Sequence, residues 1–442
     1  MTSQRVPIAH SGVPGLGHGP QLVRRPLEFV TSLREQGDVV LVRVGRMPLY
    51  ALTDPALVRR ILTSDHASFG RGRLFERGKR IVGNGLITAE GGFHRRQRHL
   101  MQPIFTRPAI SGHTDTIRRI AAAVTETWSP GQRVAVDSVM NDLALTAVAR
   151  VLFSSDVARE AVEGIRRCVP VILRALFKHM LLPAVVTSIP TPASLRFQAA
   201  HTQVHTIIDQ VITAYRAEGG DRGDLLSRLL AARDEHTGEI MSDQQVHDEV
   251  LAMFFAGVDA TGAILAWVFH ELGQHPDIER RVHEEIDAVL DGNPVGYGDL
   301  AKLEYTGRVI TETLRRYSPW FFPRGTLSPV ELGGVQLPAG TEVMYSPYAL
   351  HHDPRFFPEP DHFEPDRWLP DRAKTVPRGA FIPFGTGAHR CIGESLALIE
   401  LTAAVATIAT RWRLAPVAGT RVRKIATVTV HPDQLPMIAH PR

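Results

Sequence analysis

The stretch FIPFGTGAHRCIGESLAL, residues 381–398, carries one cysteine, Cys391, after a loop with two glycines and before an apolar run with helical spacing. A helix start gathers unpaired backbone N–H groups at the positive end of its dipole, and glycines leave further N–H groups free to turn toward sulfur. Cys391 therefore sits where a thiolate is stabilised. A catalytic nucleophile would use the same electrostatics, but it needs a base and an oxyanion site nearby. His389 is the available base, two residues away, and in an extended loop that spacing aligns two side chains without making them touch.

The chain contains two cysteines, Cys168 and Cys391. That count excludes a disulfide framework and a cysteine-rich zinc site. Cys168 follows Ile165, Arg166 and Arg167 in an amphipathic helical stretch and reads as a small packing residue. A lone thiolate suits an axial haem ligand, from which sulfur pushes electron density onto iron and favours O–O cleavage.

With 442 residues, 44% hydrophobic and 22% charged, the composition is that of a soluble globular protein, read as one large domain over 1–442. A net charge of +4 over this length does not imply nucleic acid, and the basic clusters at 95–98, 389–391 and 411–413 read as solvated faces. The N-terminal MTSQRVPIAHSGVPGLGHGP has neither a signal-peptide core nor an apolar anchor, so a cytoplasmic protein that is not integral to a membrane is expected. The apolar stretch VPVILRALFKHMLLPAVVTSIP, 169–190, broken by Arg174, Lys178, His179 and three prolines, reads as a lid over an apolar cavity in preference to a segment that touches a membrane surface.

Working outward from the cysteine loop, the chain is mainly α-helical with small β-sheets toward both ends. Strands are predicted at VVLVRV (39–44) and PLYALT (48–53), with a hairpin at PAGTEV (338–343). Helical periods cover 55–63, 94–104, 114–128, 138–153, 157–180, 196–217, 223–233, 243–275 and 275–290, with two more helices between 296 and 318 and a last one over 393–412. The segment HHDPRFFPEPDHFEPDRWLPDR, 351–372, is too rich in Pro and Asp for regular structure and needs an anchor.

Phe384, Gly387, His389, Cys391 and Gly393 reproduce the spacing F-x-x-G-x-[HR]-x-C-x-G. This pattern resembles the haem-binding loop of the cytochrome P450 family, and the resemblance runs along nearly the whole chain. It implies the family's fold, a large helical domain plus a smaller β-rich region, with haem b held by Cys391 as the iron ligand. Glu312 and Arg315 of ETLR stand at i, i+3 and can pair. The resemblance makes them, with Arg367 of FEPDRW, a buried ionic triad that holds the cysteine loop. For the haem propionates it implies His94 and Arg98 of HRRQR, Arg324 of FFPRGT, and His389, leaving Arg95 and Arg96 to solvent.

A second stretch, LAMFFAGVDATGAILAWVFHEL (251–272), reads as a buried helix interrupted by Gly257, Asp259, Thr261 and Gly262. Each glycine costs about 1 kcal/mol relative to alanine in a helix interior. The resemblance aligns residues 256–261 with [AG]-G-x-[DE]-T-[TS] on the distal haem face. Ala256 and Gly257 then leave room for O2 and substrate, and Asp259 helps deliver protons. The hydroxyl expected at 260 is missing, because Ala260 stands there and Thr261 comes one residue late. One residue turns a side chain by about 100°, so Thr261 is not a simple replacement. Proton delivery through ordered water held by Gly257 and Asp259 is expected, ahead of Thr261 after a helix distortion or a substrate hydroxyl.

The resemblance thus implies a haem-thiolate monooxygenase, monomeric, hydroxylating an apolar small molecule with O2 and two electrons from a separate ferredoxin and its reductase. Phe75, Ile87, Phe177, Phe255, Val258, Phe321 and Phe322 are the candidate pocket residues. Leu74, Ile81, Val82, Phe254 and Trp320 belong to the same apolar set. The sequence is similar to actinobacterial oxidases of specialised metabolism that act on terpenes, so a terpenoid is the expected substrate. The alternatives are a macrolide or polyketide that assists its own proton delivery, a peroxide-driven oxygenase, and a haem sensor or carrier without turnover.

Overall fold

The computed structural model describes residues 6–153, 157–181, 189–220, 222–234 and 238–442, with backbone alone at 157–160, 177, 178 and 181. The chain divides into two compact units. The first comprises residues 1–76, 311–391 and 426–430. Its strands are β1 (Val39–Val44), β2 (Met47–Leu52), β3 (Phe69–Gly70), β4 (Phe322–Thr326), β5 (Val330–Leu332), β6 (Val335–Leu337) and β7 (Glu342–Tyr345). Five of them form one sheet in the order β1-β2-β7-β4-β3.

The alternation that predicted β1 is visible in burial, with Val40 and Val42 fully buried and Arg43 exposed. β1 and β2 pair antiparallel from Val39–Leu52 to Val44–Met47. β2 runs parallel to β7. PAGTEV is therefore not a hairpin: its turn leads from β6, which pairs with β5, into β7, which pairs with β2 and β4. The hairpin lies at Gly333 and Gly334, both at positive φ as a tight two-residue turn requires. Against the sheet pack Val58, Ile61 and Leu62 of the helix Pro55–Leu62, which starts on an Asp54 side chain accepting from the Leu57 N–H.

The second unit comprises residues 77–310, 392–425 and 431–442. Its axis is a 32-residue helix, Asp243–Gln274, opened by a capping box between Ser242 and Gln245. Around this central helix pack Val136–Leu152, Pro192–Glu218 and the carboxy-terminal helix Glu394–Arg411, while Val157–Leu181 packs on Pro192–Glu218. A small antiparallel sheet places Pro436–Pro441 between Arg133–Ala135 and Trp412–Pro416. The central helix is long and apolar enough to cross a membrane, yet 78% of its apolar window is buried within the protein, which marks it as a core helix. Cys168 is buried, and burial pushes its thiol up, in keeping with a packing role.

The glycines of the central helix have a packing explanation. A Cβ on Gly257 would lie 2.7 Å from Val148 Cγ2, and one on Gly262 would lie 2.9 Å from the Asn141 Cα. Both glycines therefore admit the helix Val136–Leu152 at close range. The expectation that Gly257 is there to make room for O2 and substrate is corrected accordingly: its missing side chain faces a neighbouring helix.

Candidate functional site

In the first unit, Cys391 ends a tight loop. Gly385 donates to the Ile382 carbonyl at 3.0 Å, and Cys391 donates its own N–H to the Phe384 carbonyl at 2.8 Å. Gly387 has φ +70°, and a Cβ there would fall on the Leu62 carbonyl oxygen. Gly387→Ala is thus expected to dislocate the loop from the helix Pro55–Leu62 and to abolish haem uptake, measured as the Soret absorbance per protein. Cys391 itself is exposed and forms no disulfide. The following helix begins at Glu394 with Gly393 as its N-cap, so the sulfur precedes the helix start as the sequence implied.

The loop is anchored from behind. Glu312 and Arg315, both fully buried, form a bidentate pair: Arg315 Nη2 to Glu312 Oε1 at 2.8 Å and Nε to Oε2 at 2.9 Å. Glu312 also accepts from Trp368 Nε1 at 2.8 Å, the Glu364 N–H at 3.2 Å and Arg367 Nε at 3.5 Å. Arg315 donates onward to the carbonyls of His351 and Pro360, and Arg367 to that of Pro358. The irregular segment 351–372 is thereby tied down by its own backbone carbonyls.

His351, which the sequence did not single out, connects this cluster to the cysteine loop. Its Nε2 accepts from the Ile382 N–H at 2.9 Å, so Nδ1 carries the proton and donates to Ser318 Oγ. Burial and the neighbouring Arg315 charge push the ring down to about 3, which keeps it neutral. A neutral, single-tautomer histidine makes a fixed joint.

The resemblance gives two cationic residues of this unit to the propionates. His389 sits half-buried in a 3-10 turn, Gly387–His389. Arg324 is buried on β4, donates to the Pro323 carbonyl at 3.1 Å, and has no ion pair among the described residues. A buried guanidinium without a carboxylate is costly unless an anion joins it. The donor set of this unit, an exposed thiol on a rigid turn and a buried arginine lacking an anion, fits haem and its carboxylates.

In the second unit, His94 and Arg98 share the helix Gly91–Met101, His94 buried and Arg98 half-buried. Arg95 is exposed as expected, whereas Arg96 is paired with Asp234 at 3.1 Å and Glu239 at 3.0 Å. In the central helix Ala256 is exposed and Met253, Gly257 and Ala260 are half-buried, whereas Phe254, Phe255, Val258 and Asp259 are buried. An open stripe thus runs along the enclosed middle of the helix. Asp259 and Thr261 flank that stripe, turned about 60° one way and about 140° the other from Ala256. Thr261, counted among the catalytic candidates, is buried and stands about 140° around the helix from Ala256. Asp259 is also buried, and its Oδ1 lies 3.0 Å from Nε2 of His431. No spacing rule links positions so far apart, and His431 escaped the sequence reading for that reason.

The apolar candidates divide. Phe75 lies half-buried under the Arg71 guanidinium, and Ile87 is half-buried. Phe255 and Val258 are buried in the central helix. Phe322 is half-buried, stacks on Tyr345 and packs against the core of the first unit's sheet. Phe321 is buried beside Trp320, whose Nε1 donates to the Thr427 carbonyl, and Leu74 and Trp320 are fully buried core. The side chain of Phe177 and residues 182–188 of the expected lid lie outside the described residues.

A model of the cytochrome P450 family matches residues 7–437. The chain is 42% identical to cyclooctat-9-en-7-ol 5-monooxygenase of Streptomyces melanosporofaciens, covering 98% of this chain and 95% of that one. It is 41% identical to pentalenene oxygenase of Streptomyces avermitilis, covering 97% and 95%. In three dimensions it matches the crystal structure of the haem domain of cytochrome P450DA with a TM-score of 0.88, over 99% of this chain and 98% of that one, at 24% identity, a likeness of fold alone.

Proposed function

The chain belongs to the cytochrome P450 family, and from that premise we propose that it hydroxylates a terpenoid, using dioxygen and two externally supplied electrons. Support for the substrate class comes from the relatives that oxidise terpenoids at about two-fifths identity over nearly their whole length. The observation that carries the chemistry is Cys391, an exposed thiol on a glycine-built turn in a chain whose other cysteine is buried. A ferredoxin and its reductase are the proposed donors, supported by the exposed Arg390 beside Cys391 and the exposed Arg95, which suit an acidic partner. One monomeric haem domain spanning 1–442, in the cytoplasm, is the proposed form.

When bound through the Cys391 thiolate, haem b supplies the oxygen-activating iron. The chain's own residues do the remaining work. Arg324, His389, His94 and Arg98 are the proposed partners of its carboxylates. The small side chains of Ala256 and Ala260 leave apolar space along the central helix. Asp259 holds a proton-handling carboxylate at the edge of that space, serving the overall reaction, in which one oxygen atom enters a C–H bond and the other leaves as water with two protons and two electrons.

Because Ala260 faces the stripe and Thr261 does not, Ala260→Thr is expected to change product formed per NADPH several-fold, whereas Thr261→Ala changes it little; the reverse ranking would mean that Thr261 does the work. The proposal as a whole is tested by titrating the haem-loaded protein with terpene and macrolide panels and reading the spin-state shift, then assaying turnover with ferredoxin, reductase and NADPH. Terpenes are expected to bind and be hydroxylated. Binding by macrolides alone would overturn the substrate class, and turnover by peroxide with none from the redox chain would overturn the electron supply.

A further inference from the structure

A carboxylate in the middle of a buried helix is tolerated only with a partner that satisfies it. For Asp259 that partner comes from the far end of the sequence: His431, on the short strand Val430–Pro432. The bond is 3.0 Å between Asp259 Oδ1 and His431 Nε2, and the two side chains are only 10% and 18% exposed. Burial pushes the imidazole down, but the Asp259 charge and its hydrogen bond outweigh this and leave His431 above the usual histidine value. The Asp259 carboxylate is the charge that raises it.

We infer that His431 is a positioning residue for proton delivery: it holds Asp259 aimed, and the two act as a unit that keeps one exchangeable proton at the edge of the Ala256–Ala260 stripe. This rests on the reading of Asp259 given above. The proton crosses from His431 Nε2 to Asp259 Oδ1, and from the carboxyl to water on the stripe. The neutral ring, 18% exposed, is then reprotonated by a solvent proton, and the shared proton is restored. Histidine suits this place because its two protonation states lie close in energy near neutral pH. An arginine would hold the carboxylate equally well but would not give up its proton. The sign of the pH dependence follows from the raised value. The imidazolium is fully formed at and below the ordinary histidine value, and the charge pairing is lost as pH rises through the raised His431 value.

The experiment uses the haem-loaded enzyme and the variants His431→Asn, Asp259→Asn and the double replacement. The first readout is independent of turnover: the NMR titration of His431 in the reduced, carbon monoxide-bound protein, assigned by its absence from His431→Asn. It is expected to titrate above about 6.5 and to fall back in Asp259→Asn. The second is product formed per NADPH against pH. Wild-type coupling is expected to decline as pH rises through the His431 value. His431→Asn is expected to be about tenfold less coupled and flat with pH, and the double variant no worse than Asp259→Asn alone.

His431 titrating at or below the ordinary value, or a pH limb that persists in His431→Asn, overturns the inference while leaving Asp259 in place if Asp259→Asn uncouples. Wild-type coupling in Asp259→Asn overturns the reading of Asp259 itself. Should His431→Asn fail to take up haem, the wild-type and Asp259→Asn titrations decide the matter.

Discussion

Replacing Cys391 with serine is expected to remove the red-shifted Soret band of the reduced carbon monoxide form and to reduce hydroxylation to background, while leaving the fold intact. The chemical half of this expectation follows from ionisation. A thiol becomes a thiolate near neutral pH in such a setting, and it donates electron density that a serine hydroxyl, un-ionised there, does not. The structural half follows from position. Cys391 is exposed, and what fixes the loop is its backbone N–H on the Phe384 carbonyl and the glycine turns, which serine keeps. Surface replacements of this kind change stability by about 0.5 kcal/mol or less. The measurements are the carbon monoxide difference spectrum and a thermal melt. An unshifted band in well-folded wild-type protein would defeat the thiolate assignment.

Glu312→Ala is expected to have the largest effect on stability. It removes one carboxylate but strands several donors: Arg315 at both nitrogens facing it, Trp368 Nε1, the Glu364 N–H and Arg367 Nε. Breaking a buried ion pair from one side typically costs about 3–5 kcal/mol, because the remaining charge stays buried without a partner. The loss should appear as a lowered melting temperature and reduced haem content. Arg372→Ala is the control. Arg372 also reaches an acid of this segment, Glu364 at 2.5 Å, but with 47% of its side chain exposed it should change stability by about 1 kcal/mol or less. Equal effects from the two replacements would show that charge number matters and burial does not.

What was legible in the sequence was what helix and strand periods convert directly into proximity. Glu312 and Arg315 pair because three residues on a helix bring two side chains to one face. From Val40 onward β1 alternates in burial because successive strand side chains point to opposite faces. The Cys391 turn was legible because its glycines and the following helix lie within ten residues. What escaped depends on pairing between distant segments. PAGTEV has the composition of a hairpin, yet its strand joined β2 in parallel, a choice made by tertiary packing. His351 and His431 have no local signature, since each matters only through a partner delivered by another part of the chain. Gly257 was identified correctly as unusual, but its reason was misjudged, because composition does not say which way an absent side chain would have pointed.

That geometry has a consequence for anyone seeking to redirect the enzyme by mutation. The central helix is keyed to its neighbour through Gly257 on Val148 and Gly262 on Asn141, so its back offers no freedom: enlarging either glycine forces two helices apart. Beside Gly257 the helix carries alanine methyl groups at 256 and 260, both at least partly open, with Met253 half-buried on the same side. A library aimed at new substrates should therefore vary Ala256 and Ala260 and leave both glycines untouched, because added bulk at the alanines alters the shape of the available space without moving the scaffold that defines it.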